Sequence, residues 1–369
     1  MFVQLSVVIL SVIGAYVFSC IPLKGDLLRK QYISFVCILL ILQSGLRNVA
    51  VGPDTYQYMQ TFKNISTWNW TEVWQRFISV YVEGVGKDAG YSLYVKSFTQ
   101  FVSSDYQIYL LCVAAIFFTS FGYFLYVNTK KISDVTFSIL YYQVFFYTFF
   151  SITGIRQTLA TAICLWSYKY IKQQKIVPFL ICIFIAATLH QSALLFILLY
   201  FVANYKNSWN LFKVVFLMLP FLFAGAKVFT LKLASLAVTD TYLGYADATT
   251  SGAWGFSVFY ITLIIIGYMR YKEIMNTDKE AYRVYNAVIL GLFFLPLTFV
   301  SAALMRVVQY FSFFCVLFFP MIFSIENCKN RQIWNIVEFI FIMLLLYKLC
   351  TSGNEYAFFW EYMPLGDNY

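Results

Sequence analysis

Continuous apolar runs dominate this chain. They cover residues 2–20, 32–46, 106–127, 133–150, 155–170, 176–203, 212–235, 254–269, 284–303, 305–325 and 332–349. A helix rises 1.5 Å per residue and closes its own backbone hydrogen bonds, so about 17–25 apolar residues cross roughly 30 Å of hydrocarbon. A membrane β-barrel would alternate instead. Only 12% of residues are charged and mean hydropathy is +0.71, whereas a soluble domain carries about 25% charge. The expected fold is all-α, a polytopic membrane protein forming one integral domain over residues 1–369. The net charge of +9 is then no sign of nucleic-acid binding, since basic residues of membrane proteins gather in cytoplasmic loops. The first run lacks a basic leader and a clear small-residue cleavage site, so it is expected to be retained as a span.

One run does not fit a single span. Residues 176–203 are 28 in number, with His190-Gln191-Ser192 near the middle. Counted as one crossing, the run puts the basic residues of 270–283 opposite Lys24, Arg29, Lys30, Lys130 and Lys131. Counted as two short crossings, or a broken helix turning at His190, it puts six short loops on one side: 21–31, 128–133, 169–176, 204–213, 270–283 and 326–331. Those loops hold 16 of the 26 Lys and Arg. The positive-inside rule favours this count, which gives about twelve transmembrane segments, one pair short or discontinuous, with both termini outside.

The outer side then receives a loop over 47–105, a second loop over 236–253 and the tail 351–369. Trp68, Trp70 and Trp74 in the first loop suggest helices lying in the headgroup layer. Arg47, Asp54, Glu83, Arg156, His190, Arg306 and Glu355 all fall on this side, a convergence that scattered anchors would not produce. The eight cysteines lie mostly within or at the ends of apolar runs and form no CxxC pair, so they read as packing residues. With one histidine, no metal site is expected.

Several of these residues interrupt apolar sequence in ways that bear on chemistry. Gly52-Pro53 is a turn signal between Arg47 and Asp54. Arg156 opens an apolar helix in Gly154-Ile155-Arg156-Gln157, where a guanidinium beside helix N–H groups suits a phosphate; the alternative is an arginine snorkelling to headgroups. His190, the single histidine, is a candidate base or substrate contact, or a hydrogen-bonded structural residue. Arg306, in Leu304-Met305-Arg306-Val307-Val308-Gln309-Tyr310-Phe311, is costly near a membrane and so a functional candidate. P-loop, GxSxG and HExxH patterns do not occur.

Taken in order, Arg47-x4-Gly52-Pro53-Asp54-Thr55-x-x-Tyr58-x3-Phe62, Gly154-Ile155-Arg156-Gln157-x-x-Ala160, His190-Gln191-Ser192-Ala193 and Arg306-x3-Tyr310-Phe311 resemble the EpsG/Wzy group of surface-polysaccharide polymerases. The likeness spans about residues 40 to 325. It implies a bacterial inner-membrane glycosyltransferase working at the outer leaflet, without a cofactor. Such an enzyme joins oligosaccharide repeat units carried on undecaprenyl pyrophosphate, and the lipid pyrophosphate leaves. Partners would be that lipid-linked oligosaccharide, the bilayer, and a chain-length regulator and flippase of the same route.

On this reading Arg156, Arg306 and Arg47 meet the pyrophosphate. Asp54 is the first choice of base, followed by Glu83 and His190. Tyr56, Tyr58, Gln157 and Tyr310 are assigned to the sugar, although interfacial anchoring is the simpler role for most tyrosines. Direct displacement would invert the anomeric centre. The competing readings are an O-antigen ligase-type transferase and a lipid-linked oligosaccharide flippase or other transporter.

Overall fold

The computed structural model describes residues 2–21, 25–236, 253–325, 330–351 and 355–365. Among them the chain is helical and holds no strand beyond an isolated bridge between Arg47 and Phe358. Two helices open the chain, α1 (Phe2–Ser19) and α2 (Gly25–Gly45). Three shorter ones follow, α3 (Thr55–Thr67), α4 (Trp70–Tyr81) and α5 (Ala89–Phe101). The bundle resumes with α6 (Tyr106–Asn128), α7 (Ile132–Phe145), α8 (Ile155–Lys172), α9 (Ile176–Leu189), α10 (Ile197–Ala203) and α11 (Ser208–Leu236). It closes with α12 (Trp254–Met269), α13 (Tyr271–Thr277), α14 (Ala281–Phe294), α15 (Met305–Ser312), α16 (Cys315–Phe323) and α17 (Arg331–Thr351).

The chain is a polytopic all-α membrane protein. Five helices, α1, α6, α11, the α14 segment extended to Phe299, and α17, are long and apolar enough to cross a bilayer alone. Pairing α12 with α13 and the Ala302–Ser312 segment with α16, each bent sharply, raises the number to seven. That is fewer than the twelve crossings expected; Ile176–Leu189 and Gln191–Ala203 are shorter apolar helices that do not reach spanning length by themselves. Their stability comes from neighbours: α2 packs on α6, α6 on α8, α8 on α9 and α7 on α16. A ring cluster of Phe117, Phe121, Tyr142, Phe150 and Phe313 fills the space between α6, α7 and α15. Edge-on and offset contacts of this kind add about 0.5–1.5 kcal/mol per pair beyond burial.

The run over 176–203 turns back on itself. His190 leaves α9 in extended geometry (φ −155°, ψ 111°), and a 3₁₀ segment, Gln191–Phe196, leads into α10. Asn204 Nδ2 then donates to Ile171 O at 3.4 Å, so the segment begins and ends at the same end of the bundle. The same end gathers other basic loops. Arg29 donates to Tyr126 O at 2.8 Å, Lys172 Nζ to Asn128 Oδ1 at 3.1 Å, and Arg283 Nε to Asn204 Oδ1 at 3.1 Å. Lys130 Nζ stands 3.7 Å from Asp278 Oδ2. Five of the six basic loops grouped by the charge count thus meet at one end of the bundle; most of the sixth, 326–331, lies outside the described residues.

At the opposite end α3, α4 and α5 form a cap. Asp105 starts α6 by accepting from Gln107 N at 2.6 Å, and Asn69 and Glu72 close a reciprocal capping box at α4. Phe62 of α3 packs on Tyr109 with ring centroids 4.9 Å apart and on Tyr106 at 5.4 Å. Along α4, Trp70, Trp74, Ile78 and Tyr81 stay exposed at helical spacing, the stripe that a helix resting on a bilayer surface needs. Most of the expected loop over 236–253, and parts of the tail over 351–369, lie outside the described residues. The described cysteines are all free, three of them buried.

Candidate functional site

Two glycines with positive φ set the approach of the site segments. Gly52 has φ +83°, and a Cβ there would meet Ile152 Cγ2 at 2.2 Å, so only glycine lets the turn before Asp54 close onto this wall. Thr55, the first residue of α3, donates from Oγ1 to Ile152 O at 3.1 Å and Val51 O at 2.7 Å. Its own carbonyl accepts from Tyr106 OH at 3.0 Å. Ile152 ends a π-helical turn, Tyr147–Ile152, and Gly154 follows in left-handed geometry (φ +62°) at the mouth of α8. The chain therefore reaches Arg156 through a wide turn fastened to the Asp54 loop.

Arg156 and Lys172 are 16 residues apart on α8, about 24 Å along the axis, so Arg156 lies at the end away from the basic loops. Arg306 is the second residue of α15. Gln157 Nε2 donates to Arg306 O at 2.8 Å, which ties the starts of α8 and α15 together. The outcome is a polar cleft of about 230 Å³ lined by Asp54, Gln57, Tyr58, Thr61, Arg156 and Arg306. Asp54 holds the N-cap position of α3 without making a side-chain cap bond. Among the described residues neither its carboxylate nor the Arg306 guanidinium has an ion-pair or hydrogen-bond partner.

Arg156, by contrast, is held. Its Nη1 lies 3.2 Å from Asp88 Oδ2, and its guanidinium sits over the ring of Tyr91 at 4.8 Å and that of Tyr58 at 5.9 Å. Asp88 also accepts from Gln191 N at 3.1 Å and faces His190 Nδ1 at 3.6 Å. Burial works to raise the Asp88 pKa. The imidazole of His190 beside it, the Arg156 charge and the Gln191 N–H outweigh it and hold the carboxyl below its ordinary range. Burial likewise raises the Tyr58 phenol, against the opposing charge of Arg156.

The structure sorts the residues singled out in the sequence. Asp54, Tyr58, Arg156 and Arg306 share the cleft. His190 joins through Asp88 and is nine-tenths buried, with relative exposure of 9%. Gln157 is buried and holds backbone where a sugar contact was expected. Tyr310 is buried under the break, with Ser192 Oγ 3.5 Å from its hydroxyl. Tyr56 is half-buried and Glu83 exposed, both outside the cleft lining.

Arg47, expected to meet the pyrophosphate, does not line the cleft. It is buried, donates to Ser44 O, and is covered by the chain around Phe358. Just past the end of α2 its Nη1 reaches the backbone and hydroxyl of Ser44, while its Nε is buried without a hydrogen-bond partner.

Asp88 is the residue the sequence reading passed over. It sits in a glycine-rich polar stretch that reads as solvated loop. Its one signal is an aspartate directly before α5, which starts at Ala89, the position of an N-cap. Among the described residues no three His, Cys, Asp or Glu side chains gather in a way that could hold a metal.

A family model for the EpsG family matches residues 30–363, a stretch that contains every residue of the cleft and of the Asp88 cluster. No curated protein and no solved structure matches the chain. With nine-tenths of its length under that model, the chain belongs to the EpsG family, whose role is polysaccharide polymerisation at a membrane.

Proposed function

We propose that the protein joins lipid-linked oligosaccharide repeat units, moving the growing glycan from its undecaprenyl pyrophosphate carrier to the next lipid-linked unit. The observation that carries this reading is the single cleft in which one carboxylate, Asp54, and two guanidinium groups, Arg156 and Arg306, are held together. The reaction needs both kinds of group. As the glycosidic bond to the pyrophosphate breaks, negative charge grows on the leaving oxygens. Arginines aimed there stabilise the transition state more than the bound ground state. The attacking hydroxyl must lose its proton, and a carboxylate in reach takes it.

In this scheme Arg306, uncommitted among the described residues, and Arg156, preset by Asp88, receive the lipid pyrophosphate. Asp54 accepts the proton of the acceptor hydroxyl. The hydroxyl oxygen bonds to the anomeric carbon as the bond to pyrophosphate oxygen breaks, and the centre inverts. Charge on the leaving group is met by guanidinium, so the scheme requires no metal. Tyr58, beside both charged groups, offers a ring face to a sugar. The basic loops at the far end support a cytoplasmic position for that end; in this scheme the cleft works at the outer leaflet of the inner membrane.

The test is polymer length. Cells lacking the protein should leave single repeat units on their acceptor in place of a ladder. Asp54→Asn and Arg306→Ala should reproduce that loss with the protein still in the membrane. Persistent ladders in the deletion strain would refute the reading.

A further inference from the structure

We propose that Asp88 is the positioning residue of this site, fixing the aim of Arg156 and the break at His190 together; the proposal rests on the polymerase reading above. Asp88 is buried, with a side chain only 2% exposed. It adopts left-handed geometry (φ 57°, ψ 44°) and opens α5 without capping it. Its carboxylate turns to two other elements instead. Oδ1 takes the N–H of Gln191, the first residue of the 3₁₀ segment after the break, at 3.1 Å. Oδ2 takes Arg156 Nη1 at 3.2 Å and lies 3.6 Å from His190 Nδ1.

A cap would be satisfied by solvent or by its own helix. This carboxylate has given up solvent and its own helix to reach segments 68 and 103 residues away in sequence. A buried carboxylate survives only when charge and N–H donors replace its water, and here the donors belong to the site. The cleft guanidinium is therefore oriented before substrate arrives, and orientation is worth most in the transition state.

Asparagine separates this role from a merely architectural one. Asn tolerates left-handed backbone at least as well as Asp and keeps an acceptor for Gln191 N. It removes one negative charge and presents an amide N–H₂ or a neutral oxygen to Arg156. The site then becomes more positive, so anion binding in the ground state is not weakened, while the guanidinium loses its fixed direction. Asp88→Asn should lower kcat about 10- to 100-fold, the size of a lost charged hydrogen bond, with KM unchanged or lower. In an Arg156→Lys background the same substitution should cost less than about threefold, because coupled residues are not additive.

The assay uses purified full-length protein and lipid-pyrophosphate-linked repeat units extracted from cells lacking it, with chain length read on gels. Should Asp88→Asn not accumulate, Asp88→Gly keeps the left-handed backbone and should show the same kcat loss. A raised KM at constant kcat, wild-type rates, or full additivity with Arg156→Lys overturns the positioning role. Failure of the wild-type protein to lengthen these units overturns the polymerase reading itself, a result visible before any variant is compared.

Discussion

Gln157 Nε2 reaches the backbone carbonyl of Arg306 at 2.8 Å, joining the first turn of α8 to the first turn of α15. Each cleft arginine stands one residue from, or at, this bond, so their separation is set by backbone as well as by side-chain contact. Replacing Gln157 by Leu keeps the volume and removes a second donor from the part-buried Arg306 carbonyl. The expected cost is about 0.5–1.5 kcal/mol of stability, seen as a lower melting temperature in detergent. Polymerisation should fall further than stability alone explains. A variant with full activity would show that the bond does not set the cleft.

The two cleft arginines should respond differently to truncation. Arg306 has no partner among the described residues, so Arg306→Ala should leave stability within about 0.5 kcal/mol and lower kcat about 10²- to 10³-fold. Arg156→Ala also strands Asp88. A fully buried pair broken this way loses about 3–5 kcal/mol, and the loss here is smaller because 27% of the Arg156 side chain is exposed. Melting curves on both variants, beside rates, separate the cases. Equal stability in the two would mean that Asp88 is satisfied without Arg156.

Much of this was readable before any coordinates. Apolar runs and clumped basic residues are properties of the one-dimensional chain, and the turn at His190 followed from charge alone. Asp54, Arg156 and Arg306 stood out because a charge within or beside apolar sequence is expensive wherever the chain folds. Asp88 did not stand out, because its cost comes from three-dimensional burial between segments distant in sequence. Arg47 is the converse case. Its charge was as conspicuous as that of Arg156, and nothing local announced that the chain near Phe358 would cover it. Gln157 and Tyr310 were placed by motif, and motif does not distinguish a side chain that holds the site from one that enters it.

Acid should remove the Asp88 contribution in a defined direction. Burial raises its pKa, but His190, Arg156 and the Gln191 N–H together hold it below the ordinary 3.8. A carboxylate depressed on folding stabilises the native state fully above its unfolded value, and that stabilisation is lost as pH falls through the folded one. The melting difference between wild type and Asp88→Asn should therefore be constant from neutral pH down to the ordinary carboxylate range. It should close only as the pH drops below 3.8. A gap that persists in stronger acid would trace to packing and not to charge.

Gly52 should tolerate no side chain. Alanine at φ +83° meets left-handed strain of about 1–2 kcal/mol, and its Cβ would stand 2.2 Å from Ile152 Cγ2. The Asp54 loop must move away from the π turn, which breaks the Thr55 bond to Ile152 O. Gly52→Ala should lose polymerisation, and adding Ile152→Ala should restore part of it by clearing the contact. No recovery in the double variant would assign the loss to backbone strain alone.

The tail acts on the same loop from the other side. Asn48 N donates to Ala357 O at 2.9 Å, Asn48 Nδ2 to Glu361 O at 2.7 Å, and Phe359 N to Leu46 O at 2.9 Å. Tyr356 OH adds a bond to Gln43 O at 2.6 Å, and Arg47 lies beneath. Burial pushes the Arg47 guanidinium pKa down, opposed by Tyr106, Tyr147 and Tyr356 around it. Water is thus kept from a charge whose neighbours are phenols and carbonyls. Cutting the chain after residue 351 would open that site and free residues 46–48, six residues before Asp54 at their nearest. Such a truncation should insert normally, exchange amide hydrogens faster over 46–54, and lose polymerisation in proportion. Arg47→Met in the full chain should keep the tail docked and retain most activity, since it removes a buried charge and keeps the length. A silent truncation, or a dead Arg47→Met protein that still melts normally, would return Arg47 to the list of substrate ligands.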